Sequence, residues 1–388
     1  MISGQTTAWI ISDIPVNENK QPHWRMYAYA DALKSCGIRC VNFFGNDARL
    51  VSDHGYANAK VGQIDELLEK CIPEFVIIYT WHKNYPYLEK FVDRKIPIIN
   101  RADSDGRVSL RYHPWDTLRY KLSEQRSLIN KIRAFRYWFY RYLREGKDQI
   151  KELITNVEKS AVVALGSPGC VDEFKSFLGK VGRDDLQYKI QFLPYPTDEI
   201  FFTSPVLTKT KSIIVIHNWL SPTGINKNPH LIPKVFDLVF RKRQDYQLHI
   251  LGSGTNQLFG NWAAGKKNVK LSEHTSSGVV ADLMGSTSIL FTASQMEGSP
   301  IVANEMLGCG GTLVGGPLPS LKGLVGHSEY GCVAKNWKPK SLANALLFEM
   351  EQWSNGKRAS EAIASHWRPI LGGNSIGRKI LEMINDSN

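Results

Sequence analysis

Gln191-Phe-Leu-Pro-Tyr-Pro-Thr-Asp-Glu-Ile-Phe-Phe-Thr-Ser-Pro205 interrupts an otherwise regular chain. Its three prolines fix φ and remove backbone donors, which argues against a helix and suits an extended linker. Upstream, apolar runs at Ala8–Ser12, Ile38–Phe44, Phe75–Tyr79, Ile96–Asn100, Ala161–Leu165 and Ile190–Leu193 read as strands. Helices fall between them near His23–Ser35 and Ile64–Lys70; Met26, Tyr27, Ala30 and Leu33 share helical spacing, and Gly37 supplies a stop. Downstream the alternation restarts, with strands at Ile213–Ile216, Leu248–Leu251, Val269–Leu271, Ile289–Thr292 and Thr312–Val314. Helices near Val235–Phe240, Val279–Met284, Pro300–Leu307 and Pro339–Trp353 accompany them. Continuous apolar runs separated by helices predict parallel sheets covered on both faces. The expected fold class is α/β, with two Rossmann-like, doubly wound domains facing a cleft. Residues 1–198 form the first, 199–370 the second, and a last helix within 371–388 packs back on the first.

Length and composition allow this arrangement. A chain of 388 residues can build two cores, and 43% hydrophobic with 22% charged residues is ordinary for a globular protein. No apolar run is long enough to span a bilayer. The start, Met1-Ile-Ser-Gly-Gln-Thr-Thr-Ala-Trp-Ile-Ile, lacks the basic region and the apolar length of a signal peptide and reads as a first buried strand, so a cytoplasmic location is expected. The six cysteines show neither Cys-x-x-Cys nor zinc-like spacing, and most are read as small buried residues.

The net charge of +11 is concentrated. Arg107–Lys151 holds twelve Lys and Arg against four acidic residues, so the remainder is nearly balanced. Leu118, Leu122, Ile129, Ile132, Phe135, Phe139 and Tyr142 recur at helical spacing, while Arg126, Arg133, Arg136, Arg141 and Arg144 fall largely elsewhere among Tyr137, Trp138 and Tyr140. A basic amphipathic helix with interfacial aromatics suits an anionic membrane surface, at the inner face of the membrane. The plainer alternative is a helix packed on the first domain with a solvated basic face. Nucleic acid would also answer such charge, but no base-reading motif supports it.

The chemistry points to Ser294-Gln-Met-Glu297-Gly-Ser-Pro-Ile-Val-Ala-Asn-Glu305-Met-Leu-Gly-Cys-Gly-Gly311. A strand ends near Thr292, a loop carries Glu297 and Gly298, and a helix opens with Ser299 as N-cap and Pro300 in its first position. The start of that helix, through Ile301, presents backbone N–H groups and a positive dipole end suited to a phosphate. Glu297 then sits in the loop near the reacting end of a ligand. Glu305 lies deeper along the helix, able to accept bonds from a pair of hydroxyls.

This segment resembles the Glu-x7-Glu motif of retaining glycosyltransferases of the GT-B fold, especially family 4. The resemblance extends to Phe192-Leu-Pro-Tyr-Pro-Thr-Asp as the interdomain segment, Leu251-Gly-Ser-Gly254 as a glycine-bearing strand end, and Tyr330-Gly-Cys-Val as a late strand. It implies a nucleoside-diphosphate sugar as donor, with Glu297 at the donor sugar and Glu305 on the ribose hydroxyls. Gly252, Gly254, Gly298, Ser299, Pro300 and Ile301 would line the donor site. Lys227 would meet the diphosphate, although no arginine partner accompanies it, and the glycine pair usual after the first strand is replaced by Ser12-Asp-Ile-Pro-Val-Asn. The acceptor would be a glycan or lipid-linked hydroxyl in surface polysaccharide or glycolipid synthesis, and neither a cofactor nor a metal is expected. Asp103 is the second catalytic candidate, on the acceptor side with Arg101 and Asp105, and His82 is a weaker one. Asp103-Ser-Asp105 also imitates the Asp-x-Asp with which GT-A transferases hold a divalent metal, which leaves a metal-dependent enzyme as an alternative. A non-catalytic nucleotide-sugar or glycan-binding module is the other.

Overall fold

The computed structural model describes residues 7–12, 25–44, 57–79, 88–102, 104–109, 112–123, 125, 127–144, 146–203, 208–221, 224–273 and 275–386. Asp103 and His82 lie outside them. The chain packs as two compact units. One comprises Met1–Ser109, Glu145–Pro196 and Leu371–Asn388; the other comprises Leu110–Arg144 and Thr197–Ile370.

The first unit holds a seven-stranded sheet of β1 (Thr7–Ser12), β2 (Arg39–Phe44), β3 (Ala57–Lys60), β4 (Phe75–Tyr79), β5 (Ile98–Ala102), β6 (Val162–Leu165) and β7 (Ile190–Phe192). Its order is β3-β2-β1-β4-β5-β6-β7, and every pairing is parallel. Each residue of β1 and β4 is buried, as a strand covered on both faces requires. Trp9 and Ile11 pack with Phe43, Val76, Ile78 and Phe91 on one such face. The last helix, Gly373–Asn385, lies on helix Arg25–Ser35, where Gly377 allows contact: a Cβ there would come within 2.3 Å of the Ala32 carbonyl oxygen. Strand β5 begins two residues later than the apolar run Ile96–Asn100 suggests. Pro97 has no N–H for the ladder, and the Ile96 N–H is taken by the Phe91 carbonyl.

The second unit holds a six-stranded parallel sheet of β8 (Thr210–Ile216), β9 (Gln247–Leu251), β10 (Val269–Ser272), β11 (Thr287–Thr292), β12 (Thr312–Gly315) and β13 (Gly331–Val333). Its core joins Ile213, Val215, Leu248, Ile250 and Phe291 to Val235, Phe236 and Val239 of helix Leu231–Phe240 and to Leu342 and Leu346 of helix Pro339–Ser354. The order β10-β9-β8-β11-β12-β13 reverses direction between β8 and β11. Loops leaving the carboxyl ends of those two strands therefore flank the natural ligand position of such a sheet.

Two local expectations are corrected. The proline-rich linker does contain a helical turn, Ile200–Thr203, because its prolines flank that turn and the Asp198 carboxylate accepts the Ile200 N–H at 3.1 Å. The apolar stripe from Leu118 to Tyr142 is not one helix face. Helices Pro114–Ser123 and Leu128–Arg144 are separate, and the Ser127 hydroxyl accepts the Asn130 N–H at 3.1 Å where the second begins. Between these helices the buried pair is Leu118 and Trp138, with Leu122 and Tyr142 beside them, whereas Ile129, Ile132, Phe135 and Phe139 are exposed.

Candidate active site

The loops after β8 and β11 are stitched together by one asparagine. Asn228 adopts φ 48°, a left-handed conformation that asparagine tolerates better than most residues. Its amide donates to the Ala293 carbonyl at 2.8 Å and accepts from Gln295 Nε2 at 3.0 Å, while the Gln295 N–H reaches the Asn226 carbonyl at 2.9 Å. These bonds hold residues 226–228 against 293–295. Lys227, within the first of these segments, and Glu297, just after the second, form an ion pair between partly buried side chains. A fixed ammonium and a fixed carboxylate thus stand together beside the switch point.

Helix Ile301–Gly308 starts directly after this pair. The expected cap is displaced by one residue: Pro300, not Ser299, occupies the N-cap position, and no side chain caps the helix. Proline at that position keeps its carbonyl for the Ala303 and Asn304 N–H groups while offering no donor of its own. Ser299 is buried, and its hydroxyl has no partner among the described residues. Asn304, wholly buried in the same helix, has neither amide atom paired among them. First-turn N–H groups have no intrahelical acceptor, so the Ile301 and Val302 donors remain for an anion.

Glu305 follows one turn on. Burial pushes its carboxyl up to about 7, and the nearby Asp198 carboxylate adds to the rise. Two cations steady the far end of the helix. Lys209 donates to the carbonyls of Met284, Gly285 and Cys309 at 2.7–2.9 Å, and Arg368 Nε donates to the Gly308 carbonyl at 2.9 Å. Both complement the negative end of the dipole. Burial lowers the Lys209 ammonium to about 8.

His217 forms the floor after β8. Its ring meets the Trp219 ring edge-on at 4.9 Å, and Nε2 lies 3.4 Å from Thr292 Oγ1. Burial, reinforced by the Lys227 charge, lowers its pKa well below the ordinary value. Gly252 passes over the His217 backbone at φ 120°, where a Cβ would fall 1.8 Å from the His217 carbonyl oxygen. That close approach demands glycine.

Gly254 has a different employment from a phosphate contact. Helix Thr255–Ala263 begins at Gly254, and the Glu273 carboxylate accepts the N–H groups of Gly254 and Asn256, each at 2.7 Å. In the first unit the Asp105 carboxylate is held by Arg107, which donates through Nε at 2.8 Å. Arg101 is buried, donates from Nε to the Tyr29 hydroxyl at 2.8 Å and stacks 4.6 Å from the Tyr195 ring centroid. Among the described residues no group of three His, Cys, Asp or Glu side chains is arranged to hold a metal ion.

The structure therefore assembles Lys227, Glu297, Gly298, Ser299, Pro300, Ile301 and Glu305 around two adjoining loops and one helix. His217, Asn228, Asp198 and Glu273 were missed by sequence reasoning. Only the turn at Asn228-Pro229 had a signal, since an Asn-Pro step favours turn initiation.

Residues 197–366 match the model of glycosyl transferases group 1. Over those residues the chain is similar to that family. Solved structures are similar to it over nearly its whole length. A sucrose-phosphate synthase from Thermosynechococcus elongatus is similar over 98% of this chain and 99% of its own, with TM-score 0.65 and 12% identity. HepE of Anabaena in complex with UDP covers 98% and 100%, with TM-score 0.64 and 12% identity, and the same protein is known with UDP-glucose. WaaG, a glycosyltransferase of lipopolysaccharide biosynthesis, covers 97% and 99%, with TM-score 0.57 and 11% identity. At this identity the likeness is one of fold, the GT-B arrangement of two parallel-sheet α/β units. No curated protein sequence matches the chain.

Proposed function

We propose that the enzyme transfers a sugar, with retention of anomeric configuration, from a nucleoside-diphosphate sugar to a hydroxyl acceptor. The observation that carries this reading is the Lys227–Glu297 pair set beside the uncapped start of helix Ile301–Gly308, with Glu305 a turn further on. The departing diphosphate needs positive charge, which Lys227 and the first-turn N–H groups supply in fixed positions. Without donor, Glu297 balances Lys227. With donor bound, the ammonium turns to phosphate, and Glu297 is left to orient the sugar and offset positive charge developing at its anomeric carbon. Glu305 would accept bonds from the ribose hydroxyls, and its cost in the empty site would be offset by those donors.

The remaining assignments follow from the same reading. The acceptor is a glycan or lipid-linked hydroxyl, in synthesis of a surface polysaccharide or glycolipid at the inner membrane face, with the basic helices supplying contact to anionic lipid. Lys227 and the helix start do the neutralising, so no metal is required. Asp103 remains the acceptor-side candidate. UDP-sugars are the first donors to try, since HepE, which shares the fold, is known with UDP and UDP-glucose. The test is a panel of nucleotide sugars, read by thermal shift and by release of nucleoside diphosphate with and without chelator. Stabilisation by one nucleotide class and chelator-resistant turnover are expected. Binding without turnover on any acceptor would favour a binding module, and chelator-sensitive turnover would overturn the metal-free mechanism.

A further inference from the structure

Helix Leu128–Arg144 shows water a face that soluble proteins normally bury. Leu128 is 74% exposed, Ile132 54%, Phe135 45%, Phe139 47% and Leu143 66%. At 100° per residue these five side chains fall on one stripe. The helix's own packing uses a neighbouring stripe, where Trp138 is buried against Leu118 and stacks on Tyr142 at 5.3 Å. The apolar stripe is therefore left over after the tertiary contact has been made. Phe135 and Phe139 stack on each other at 6.2 Å and form its centre.

Lys131 and Arg136 flank this stripe, and Arg133, Arg141 and Arg144 turn toward the other side of the helix. The helix contains Lys131, Arg133, Arg136, Arg141 and Arg144 and no acidic residue. Arg144 lies over the Tyr140 ring at 5.2 Å and Arg141 over the Tyr137 ring at 5.8 Å, so long cationic side chains lean along exposed aromatic rings. An apolar stripe with Lys131 and Arg136 at its edges and further cations behind it suits a bilayer surface, with the acyl boundary beneath and anionic headgroups around it.

We propose that Leu128, Ile132, Phe135, Phe139 and Leu143 insert into the acyl boundary of an anionic membrane, with Lys131 and Arg136 on its headgroups. Charge complementarity selects this occupant over a second copy of the chain, because two such helices would bring together ten cations and no acidic residue of their own. The inference extends the membrane-face acceptor and rests on that reading for its purpose, not for its geometry. It differs from adsorption by charge alone, since apolar insertion survives added salt and charge pairing does not.

The experiment is co-sedimentation of the full chain with vesicles of phosphatidylcholine, alone and mixed with phosphatidylglycerol, at low and high salt. The wild type should bind the anionic vesicles and keep part of that binding at high salt. Phe135→Ser with Phe139→Ser preserves every charge and, at exposed positions, the fold; its partitioning should fall at least roughly tenfold. Lys131→Gln and Arg136→Gln together should weaken the preference for anionic over neutral vesicles. Circular dichroism and nucleotide binding report that each variant is folded with an intact donor site. The proposal is overturned if the serine variant binds as the wild type does, or if the wild type stays in the supernatant. It is equally overturned if lipid-free sedimentation shows a dimer that the serine variant abolishes. Vesicle binding by a protein that binds no nucleotide would instead remove the proposed function and leave this surface standing.

Discussion

Two strand-to-helix junctions of the second sheet look alike in sequence and do opposite things. After β9, Gly252-Ser-Gly254 leads into helix Thr255–Ala263; after β11, Glu297-Gly-Ser-Pro leads into helix Ile301–Gly308. Each offers glycine, a following helix and a positive dipole end. At the first, Glu273 already fills the helix start with two bonds from backbone N–H groups. At the second no side chain caps the helix, and Ser299 and Asn304 keep buried polar atoms unpaired among the described residues. Unsatisfied buried polar groups are scarce in folded proteins. A helix start is a ligand site only when the fold leaves its donors unspent.

The sharpest way to break this contrast is at Glu297. Glu297→Gln should lower transfer at least about a hundredfold, the scale of losing one group that acts on transition-state charge, and leave nucleoside-diphosphate affinity nearly unchanged. Steady-state turnover beside a binding titration decides it. Near-normal transfer would demote the open junction to surface structure.

Next in size is Glu305→Ala, which should weaken the free nucleoside diphosphate by about 1.5–3 kcal/mol, the range for hydrogen bonds to a charged group. Calorimetry on the folded variant measures it, and unchanged affinity would take Glu305 out of the site.

The same residue yields a stability prediction. Its folded pKa of about 7 lies above the unfolded carboxylate value. Below the unfolded value both states are protonated and Glu305 costs nothing. Between the two values the native state holds the extra proton, so stability falls as pH rises, and above pH 7 the whole cost is present. Glu305→Gln should therefore stabilise the ligand-free protein by about 2–3 kcal/mol at pH 8 and lose that advantage toward pH 4. Urea midpoints at both pH values test this, and a pH-independent difference would refute it.

The smallest effect belongs to the closed junction. Bonds from the Asn256 and Gly254 N–H groups hold the Glu273 carboxyl below its usual range. Its stabilising share is present above the unfolded carboxylate value and disappears as pH falls through the folded one. Glu273→Gln should lower the thermal midpoint modestly at neutral pH, less in acid, and leave nucleotide affinity alone. A clear loss of donor affinity would erase the distinction between the junctions.

Much of the architecture was legible because a strand buried on both faces must be apolar throughout, and the runs at residues 8–12, 75–79 and 289–292 say so directly. The Glu297–Glu305 spacing was legible for a similar reason: loop and helix are consecutive, so chain geometry alone sets their separation. Pro97 was the exception among strands, since its missing donor delays β5 without changing hydrophobicity.

Tertiary structure decided what spacing cannot encode. Lys227 meets Glu297 across seventy residues because β8 and β11 are sheet neighbours and Asn228 bonds their loops together. Glu273 reaches the start of the helix at Gly254 because β10 lies beside β9. On helix Leu128–Arg144 periodicity marks an apolar face but cannot say what covers it. Only the packing shows that Trp138 turns inward while Phe135 and Phe139 face water. Local sequence sets which faces are apolar and which residues carry charge; which groups are left without a partner depends on neighbours distant in the chain.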